Sequence, residues 1–299
     1  MDNLFSNKEE HFGPIWFIPG KNKGRYPYCH SLYIEEDQIL IDPSSNKKRL
    51  LELSKGPGVK EIWLSHAHED HLMYLSLFKD KQIAMSKADS YALQDLEHLF
   101  DAYDVEEKDK PSWTEFFQRI IKFKPVKVDK YLKQNNELQL KSGPVKIIAT
   151  PGHTPGNLSF YFKNQNLLFS GDYDLSDFGP WYGDANSCLY STIDSVNKLS
   201  EINADTCIVS HEKGIFKNVS KLIWDNYLGV ISERENKLLE LLKTPKNIKN
   251  IISQNIVYGK PGKEKGYFDF GEKAIMTKHL DKLIKTGRVY KDREIYYKC

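Results

Sequence analysis

Seven consecutive residues, Ser65-His66-Ala67-His68-Glu69-Asp70-His71, place three imidazoles and an aspartate within six positions, just after an apolar β-rich run. Imidazole suits zinc, iron and manganese, and carboxylate tolerates most divalent ions. The spacing is consistent with two cations, His66 and His68 turned toward one, Asp70 and His71 toward the other. Such a run can also be a solvated loop, so three further segments matter. Thr150-Pro151-Gly152-His153-Thr154-Pro155-Gly156 sets His153 in a turn of glycine and proline with little bulk. Ser170-Gly171-Asp172 puts a carboxylate straight after Leu167–Phe169, and Ser210-His211 follows Cys207–Val209. Each segment opens a loop after an expected strand, where ligands for a site assembled from strand ends belong. Five of the nine histidines fall in these segments, more than chance placement favours.

The elements that must position these loops are legible as strands alternating with helices. Ile15–Ile18, Ser31–Ile34, Ile39–Ile41, Val59–Leu64 and Gln82–Met85 read as strands, with a helix over Asn46–Ser54. A helix-rich insertion runs from Ala88 to Phe123, interrupted at Glu106–Lys110 and Pro111. Glu137–Leu140 and Val145–Ala149 flank a Ser-Gly-Pro turn, and Leu158–Phe162 with Leu167–Phe169 forms a hairpin. A helix over Thr192–Glu201 and a strand over Thr206–Val209 close this body. Beyond it the spacing predicts helices over Glu233–Leu242, Lys246–Gln254 and Glu272–Lys285, then a hairpin of Arg288–Tyr290 and Glu294–Tyr297. The expected organisation is a catalytic domain over 1–231 and an appended unit over 232–299.

Composition bounds the class. The chain has 299 residues, 40% hydrophobic and 28% charged, which fits a globular protein with an ample core. The stretch Met1–Gly13 is polar and acidic, without the basic start and apolar core of a signal peptide. No apolar run approaches the roughly 20 residues of a membrane helix. Four scattered cysteines without a CxxC pair argue against a disulfide framework or thiolate zinc site. The expectation is a cytoplasmic protein that does not engage membranes. The net charge of +2 divides into about +7 over 232–299 and about −5 elsewhere. The basic tail fits either a polyanion such as RNA or an ordinary lysine-rich surface.

The set His66–His71, His153, Asp172 and His211 resembles the HxHxDH motif and downstream ligands of the metallo-β-lactamase superfamily, over roughly Phe12 to Gly214. The resemblance implies an α/β fold, an αββα sandwich of two packed sheets with helices outside. It implies that His66, His68 and His153 hold one divalent ion, that Asp70, His71 and His211 hold a second, and that Asp172 bridges them. Zinc is the expected ion, with manganese or iron as alternatives. Asp42, in Leu40-Ile41-Asp42-Pro43, matches a recurrent aspartate that orients a ligand histidine; as a residue alone it could simply shape an Asp-Pro turn. The Pro-Gly-His-Thr-Pro-Gly segment is similar to the glyoxalase II branch. The segment His279–Tyr290 and the helical register before it resemble the winged-helix unit of the β-lactamase-like protein 2 group. Two stretches depart from those groups, Ser210-His211-Glu212-Lys213-Gly214 and Gly179-Pro180-Trp181-Tyr182-Gly183-Asp184, and both bear on the substrate.

The chemistry this implies is hydrolysis by a water ionised between two cations, with Asp70 orienting or deprotonating it. No GxSxG motif offers the serine route. Four readings remain open: hydrolysis of a small ester, thioester or related substrate; cleavage of single-stranded RNA, favoured by the basic tail; a mononuclear-iron persulfide dioxygenase, which needs only the equivalents of His66, His153 and Asp172; and a non-catalytic binding protein. A homodimer fits the appended unit. Trp181, Tyr182, Tyr190, Tyr26 and Tyr28 are candidates for pocket walls, with packing the simpler role for each. His30 lies near a strand start and matches no ligand of the family, and His11, His98 and His279 are expected to be ordinary surface or packing residues.

Overall fold

A computed structural model describes residues 8–56, 58–259 and 265–299; the head of the polar N-terminal stretch lies outside them. The first sheet contains seven strands paired in chain order: β1 (Glu10–Phe12), β2 (Ile15–Ile18), β3 (Ser31–Ile34), β4 (Ile39–Ile41), β5 (Glu61–Trp63), β6 (Gln82–Met85) and β7 (Lys130–Tyr131). Pairing is antiparallel from β1 to β4 and parallel from β4 to β7. The second sheet has six: β8 (Glu137–Leu140), β9 (Gly143–Ala149), β10 (Leu158–Phe162), β11 (Leu167–Gly171), β12 (Thr206–Val209) and β13 (Ile215–Lys217), ordered β13-β12-β11-β10-β9-β8.

Alternation along the strands decides the layering, because successive side chains point to opposite faces. Ile15 and Phe17, Leu32 and Ile34, Ile39 and Ile41 share one buried cluster with Val145 and Ile147, Leu158 and Phe160, Leu167 and Phe169. These are the inner faces of the two sheets, and Trp63 meets Phe160 across them with ring centroids 5.3 Å apart. The alternate residues face outward onto helices. Tyr33, Leu40 and Ile62 pack on Leu50 and Leu53 of α1 (Lys47–Lys55) and on the insertion carrying α2 (Lys87–Ser90), α3 (Leu96–Tyr103) and α4 (Lys110–Phe116). Ile148, Leu168 and Val209 pack on Val196 and Leu199 of α5 (Leu189–Ser200). The result is the expected αββα sandwich.

The C-terminal part comprises α6 (Lys221–Leu241), β14 (Lys246–Asn247), α7 (Ile248–Ile252), α8 (Lys265–Lys285), β15 (Val289–Asp292) and β16 (Ile295–Lys298), with its sheet ordered β14-β16-β15. Three details differ from expectation. The helix expected from Glu233 begins at Lys221, because Trp224 and Tyr227 bury against the outer face of the second sheet, and it continues unbroken across residues 231 and 232. The helix expected over Lys246–Gln254 is shorter. Lys246 and Asn247 pair with β16 instead, and the Asn247 side chain accepts from Asn250 N at 2.9 Å to start the helix at Ile248. The third helix starts earlier, at Lys265. No helix among the described residues is long and apolar enough to cross a membrane.

Candidate metal centre

Strand direction brings the chemistry-bearing loops to one edge of the sandwich. β4 and β5 are parallel, so Asp42 and Ser65–His71 leave the first sheet on the same side. In the second sheet β9 and β11 both run antiparallel to β10, and β12 runs parallel to β11, so His153, Asp172 and His211 also share one side. The two edges are joined there: Ser65 O accepts from Leu158 N at 2.9 Å, and Ser210 O accepts from His30 N at 2.7 Å. The backbone runs extended through His68 and then closes one tight turn, Glu69–His71. The turn carrying His153 is packed too closely for side chains at its glycines. A Cβ on Gly156 would lie 1.9 Å from Ser86 Oγ, and one on Gly152 2.3 Å from Thr192 N. Asp89 clamps the same turn, accepting from Thr154 Oγ1 and Gly156 N, each at 2.6 Å.

The seven side chains converge in two groups whose donor atoms lie within 4.8 Å of one another: His66, His68, His153 and Asp172, and Asp70, His71 and His211. In the first, His153 Nε2 stands 3.2 Å from His66 Nε2, 3.0 Å from His68 Nδ1 and 3.3 Å from Asp172 Oδ2. In the second, His211 Nε2 lies 3.6 Å from Asp70 Oδ2, and His71 Nε2 lies 3.9 Å from Asp70 Oδ1. Asp172 reaches both groups, with Oδ2 3.2 Å from His211 Nε2 and Oδ1 3.0 Å from His71 Nε2.

This donor set fits divalent cations. Ring nitrogens crowded on ring nitrogens can share few protons, whereas cation–nitrogen bonds of about 2.1 Å put neighbouring ligand atoms roughly 3.0–3.5 Å apart. His71 Nε2 and Asp172 Oδ1 are buried and make no well-aligned hydrogen bond although they face each other at 3.0 Å, an arrangement that a cation held between them would satisfy. Burial and the neighbouring His71 hold the His66 imidazole well below its ordinary pKa, so it is neutral and able to ligate. Burial acts upward on Asp172, but His71, His211 and His66 outweigh it and keep the carboxyl ionised. At His68 burial acts downward and Asp184 outweighs it, giving about 9; at His211 Asp172 does the same, giving about 10. Cations entering the site would displace those protons.

Every histidine of the two groups has its other ring nitrogen engaged, which fixes ring orientation. His71 Nδ1 faces Asp42 Oδ2 at 2.9 Å. His66 Nδ1 lies 2.9 Å from Ser65 Oγ, which donates to the same Asp42 oxygen at 2.7 Å. His68 Nε2 faces Asp184 Oδ2 at 2.6 Å, His153 Nδ1 faces Trp181 O at 3.2 Å, and His211 Nδ1 faces Gly24 O at 2.5 Å. Asp42 itself sits at a φ of +52°, a strained conformation for a non-glycine residue. Its carboxylate also accepts Ser65 N at 2.8 Å, which holds the bend.

Several participants were not singled out as site residues by sequence reasoning. Asp184 lies in a glycine- and aromatic-rich loop with no spacing rule relative to His68. Glu69, inside the histidine run, is buried and accepts from Tyr26 at 2.7 Å and from Tyr103, tying three loops together. Trp181 donates from Nε1 to Asp184 Oδ1 at 2.8 Å. Tyr182 is wholly buried, whereas Tyr190 is half exposed. His30 and His279 are both buried, His30 accepting Gly20 N at 2.8 Å and His279 lying 2.9 Å from Tyr182 OH, a packing position as expected for His279.

An αββα sandwich with two imidazole–carboxylate groups at one sheet edge defines a metal-binding sandwich architecture. The chain belongs to the metallo-beta-lactamase superfamily, whose family model matches residues 25–211, a span holding all seven residues. The superfamily consists largely of metallo-hydrolases that bind divalent metals. The chain is 25% identical over 205 residues to a beta-lactamase-like protein 2 homolog of Caenorhabditis elegans, covering 69% of this chain and 59% of that protein. It thus spans about three fifths of that relative's length. It is 28% identical over 133 residues to a hydroxyacylglutathione hydrolase of Bartonella henselae, covering 44% of this chain and 40% of the relative. A metallo-beta-lactamase family protein from Thermus thermophilus shares the fold with a TM-score of 0.74 at 18% identity, over 96% of this chain and 99% of that one. A beta-lactamase domain protein from Burkholderia ambifaria does so with 0.70 at 12% identity, over 100% and 96%.

Proposed function

We propose that this protein is a binuclear metallo-hydrolase acting on a small ester, thioester or related substrate. His66, His68 and His153 would hold one divalent ion and Asp70, His71 and His211 the other, with Asp172 placed to serve both. The observation that carries this reading is the pair of buried imidazole–carboxylate donor groups with Asp172 reaching into both. Zinc is the ion the donors suit best, with manganese or iron served by the same chemistry. Bound there, divalent ions would lower the pKa of water from 15.7 to about 7 and neutralise charge on the reacting oxygen.

The protein's own residues do the rest. Asp70 lies beside both His71 and His211, placed to take the proton of the attacking water and pass it to the leaving group. Asp42 and Asp184 keep the imidazoles aimed, so little reorganisation accompanies reaction. The likeness to hydroxyacylglutathione hydrolases favours an acyl substrate.

The C-terminal order of helix, strand, helix, helix and hairpin supports a winged-helix-type unit, assigned by composition to 232–299 and rooted in the sandwich through α6. Some of its cations are engaged within the protein, while the net basic charge of the unit leaves single-stranded RNA as the alternative substrate. Lys273 pairs with Glu106 of the body, Lys278 donates to two body carbonyls, and Lys282 and Arg288 pair with Glu235. One face of α8, carrying Lys273 and Lys278, is thus turned toward the sandwich. A complete second donor group argues against a mononuclear-iron dioxygenase, and the absence of any lost ligand argues against a retired site.

The test is metal analysis of purified protein, then assay on generic esters, thioesters and single-stranded RNA across salt concentrations. The expected result is two ions per chain and acyl hydrolysis that chelation abolishes and zinc or manganese restores. One iron per chain with oxygen uptake on a persulfide, or cleavage confined to RNA at low salt, would overturn it.

A further inference from the structure

The loop between Asp172 and α5 orients two of the three histidines in the first donor group. Asp184 faces His68 Nε2 at 2.6 Å. Ser187 Oγ accepts Asp184 N at 3.1 Å and donates to His153 O at 2.6 Å. Trp181 meets both residues, through its carbonyl at His153 Nδ1 and its indole at Asp184 Oδ1.

The main chain of this loop is gripped from the C-terminal elements. On α8, Lys278 Nζ donates to Ala185 O and to Ser187 O, both at 2.9 Å. From α6 the buried Arg234 donates to Phe178 O at 2.6 Å, and to Pro180 O and Tyr182 OH at 3.2 Å each. The second donor group has different supports: His71 rests on Asp42 and His211 on Gly24 O, both from the N-terminal half of the sandwich. His68 and His153 are thus steadied by a loop held from the C-terminal elements, whereas His66 and both histidines of the second group rest on the N-terminal half.

We propose that Lys278 is a positioning residue for the first metal site and not for the second. By holding the 184–187 turn from α8, it keeps Asp184 against His68 and Ser187 against the His153 carbonyl. The C-terminal unit then serves as a wall of the metal centre. This rests on the two-metal reading above.

The test uses the full-length chain and measures zinc affinity by competition with a chromophoric chelator. H211A leaves the first group whole and H68A leaves the second. In the H211A background, K278M is expected to weaken zinc binding at least about tenfold, the scale for losing an outer support of a metal ligand. K278R, which keeps donors for the carbonyls, is expected to recover most of it. In the H68A background K278M is expected to change affinity less than about twofold. K278Q replaces K278M should the latter fail to fold, and failure of both would make Lys278 a structural residue and overturn the proposal. Equal weakening in both backgrounds, or none in either, would also overturn it while leaving the two-metal reading intact. No zinc binding by H211A or H68A with Lys278 in place would overturn both.

Discussion

Asp42 Oδ2 stands 2.9 Å from His71 Nδ1, and the same oxygen receives the Ser65 hydroxyl whose oxygen faces His66 Nδ1. One carboxylate therefore steadies a histidine of each donor group. D42N keeps the volume but cannot serve every donor now converging on the carboxylate. Both metal affinities should fall, roughly 10–100-fold, in the chelator competition described above. A loss confined to one group would mean that the Ser65 link carries no orienting force.

Gly156 offers a test by volume alone. A methyl group there would meet Ser86 Oγ and Asp89 Oδ1, at 1.9 and 2.5 Å. Asp89 would have to release Thr154 or the Gly156 amide, and the His153 turn would shift. G156A should cost about 1–3 kcal/mol in thermal or urea unfolding of the metal-free chain, the range for overpacking. It should also weaken zinc binding in the H211A background. An unchanged melting temperature would show that the turn yields more easily than its contacts suggest.

These contacts mark where the sequence stops being legible. The seven donors could be read directly because each follows a short apolar strand, and strand ends are where loops can converge. The sandwich was implied by the resemblance those donors carry, and alternation such as Ile15 and Phe17 or Leu158 and Phe160 is what builds its inner faces. Asp184 could not be found that way. Its partner His68 lies 116 positions away, and nothing in Gly179–Asp184 has a period. Its place depends on where α6 and α8 dock, a tertiary matter. The start of α6 was missed for the same reason, because Lys221–Ile231 is helical through burial of Trp224 and Tyr227 against the second sheet.

Metal removal should be visible in stability as well as in activity. A cation that binds only the folded chain stabilises it by mass action, about 2.7 kcal/mol at a free concentration one hundred times its Kd. For a chain of this size that is a rise in melting temperature of roughly 4 °C. The full protein titrated with zinc should show it, and H211A should show a smaller rise. A melting temperature insensitive to zinc in the full protein would contradict metal binding at these residues.

Glu235 provides a pH test away from the metals. His279 and Lys282 hold its carboxyl down, at about 2, against an ordinary 4.5. Lys282 Nζ lies 2.5 Å and Arg288 Nη1 2.9 Å from its two oxygens. A carboxyl with a depressed folded pKa stabilises the fold only while ionised. Its contribution is therefore complete above about pH 4.5 and drains away as pH falls toward 2. E235Q should destabilise the metal-free chain by about 1–2 kcal/mol at neutral pH. The cost stays modest because the stranded Lys282 and Arg288 remain partly in water, with side chains 24% and 52% exposed. The gap between parent and variant in urea unfolding should narrow steadily below pH 4.5. A gap that stays constant from pH 7 to 2.5 would mean that Glu235 supports α6 and α8 by shape and not by charge.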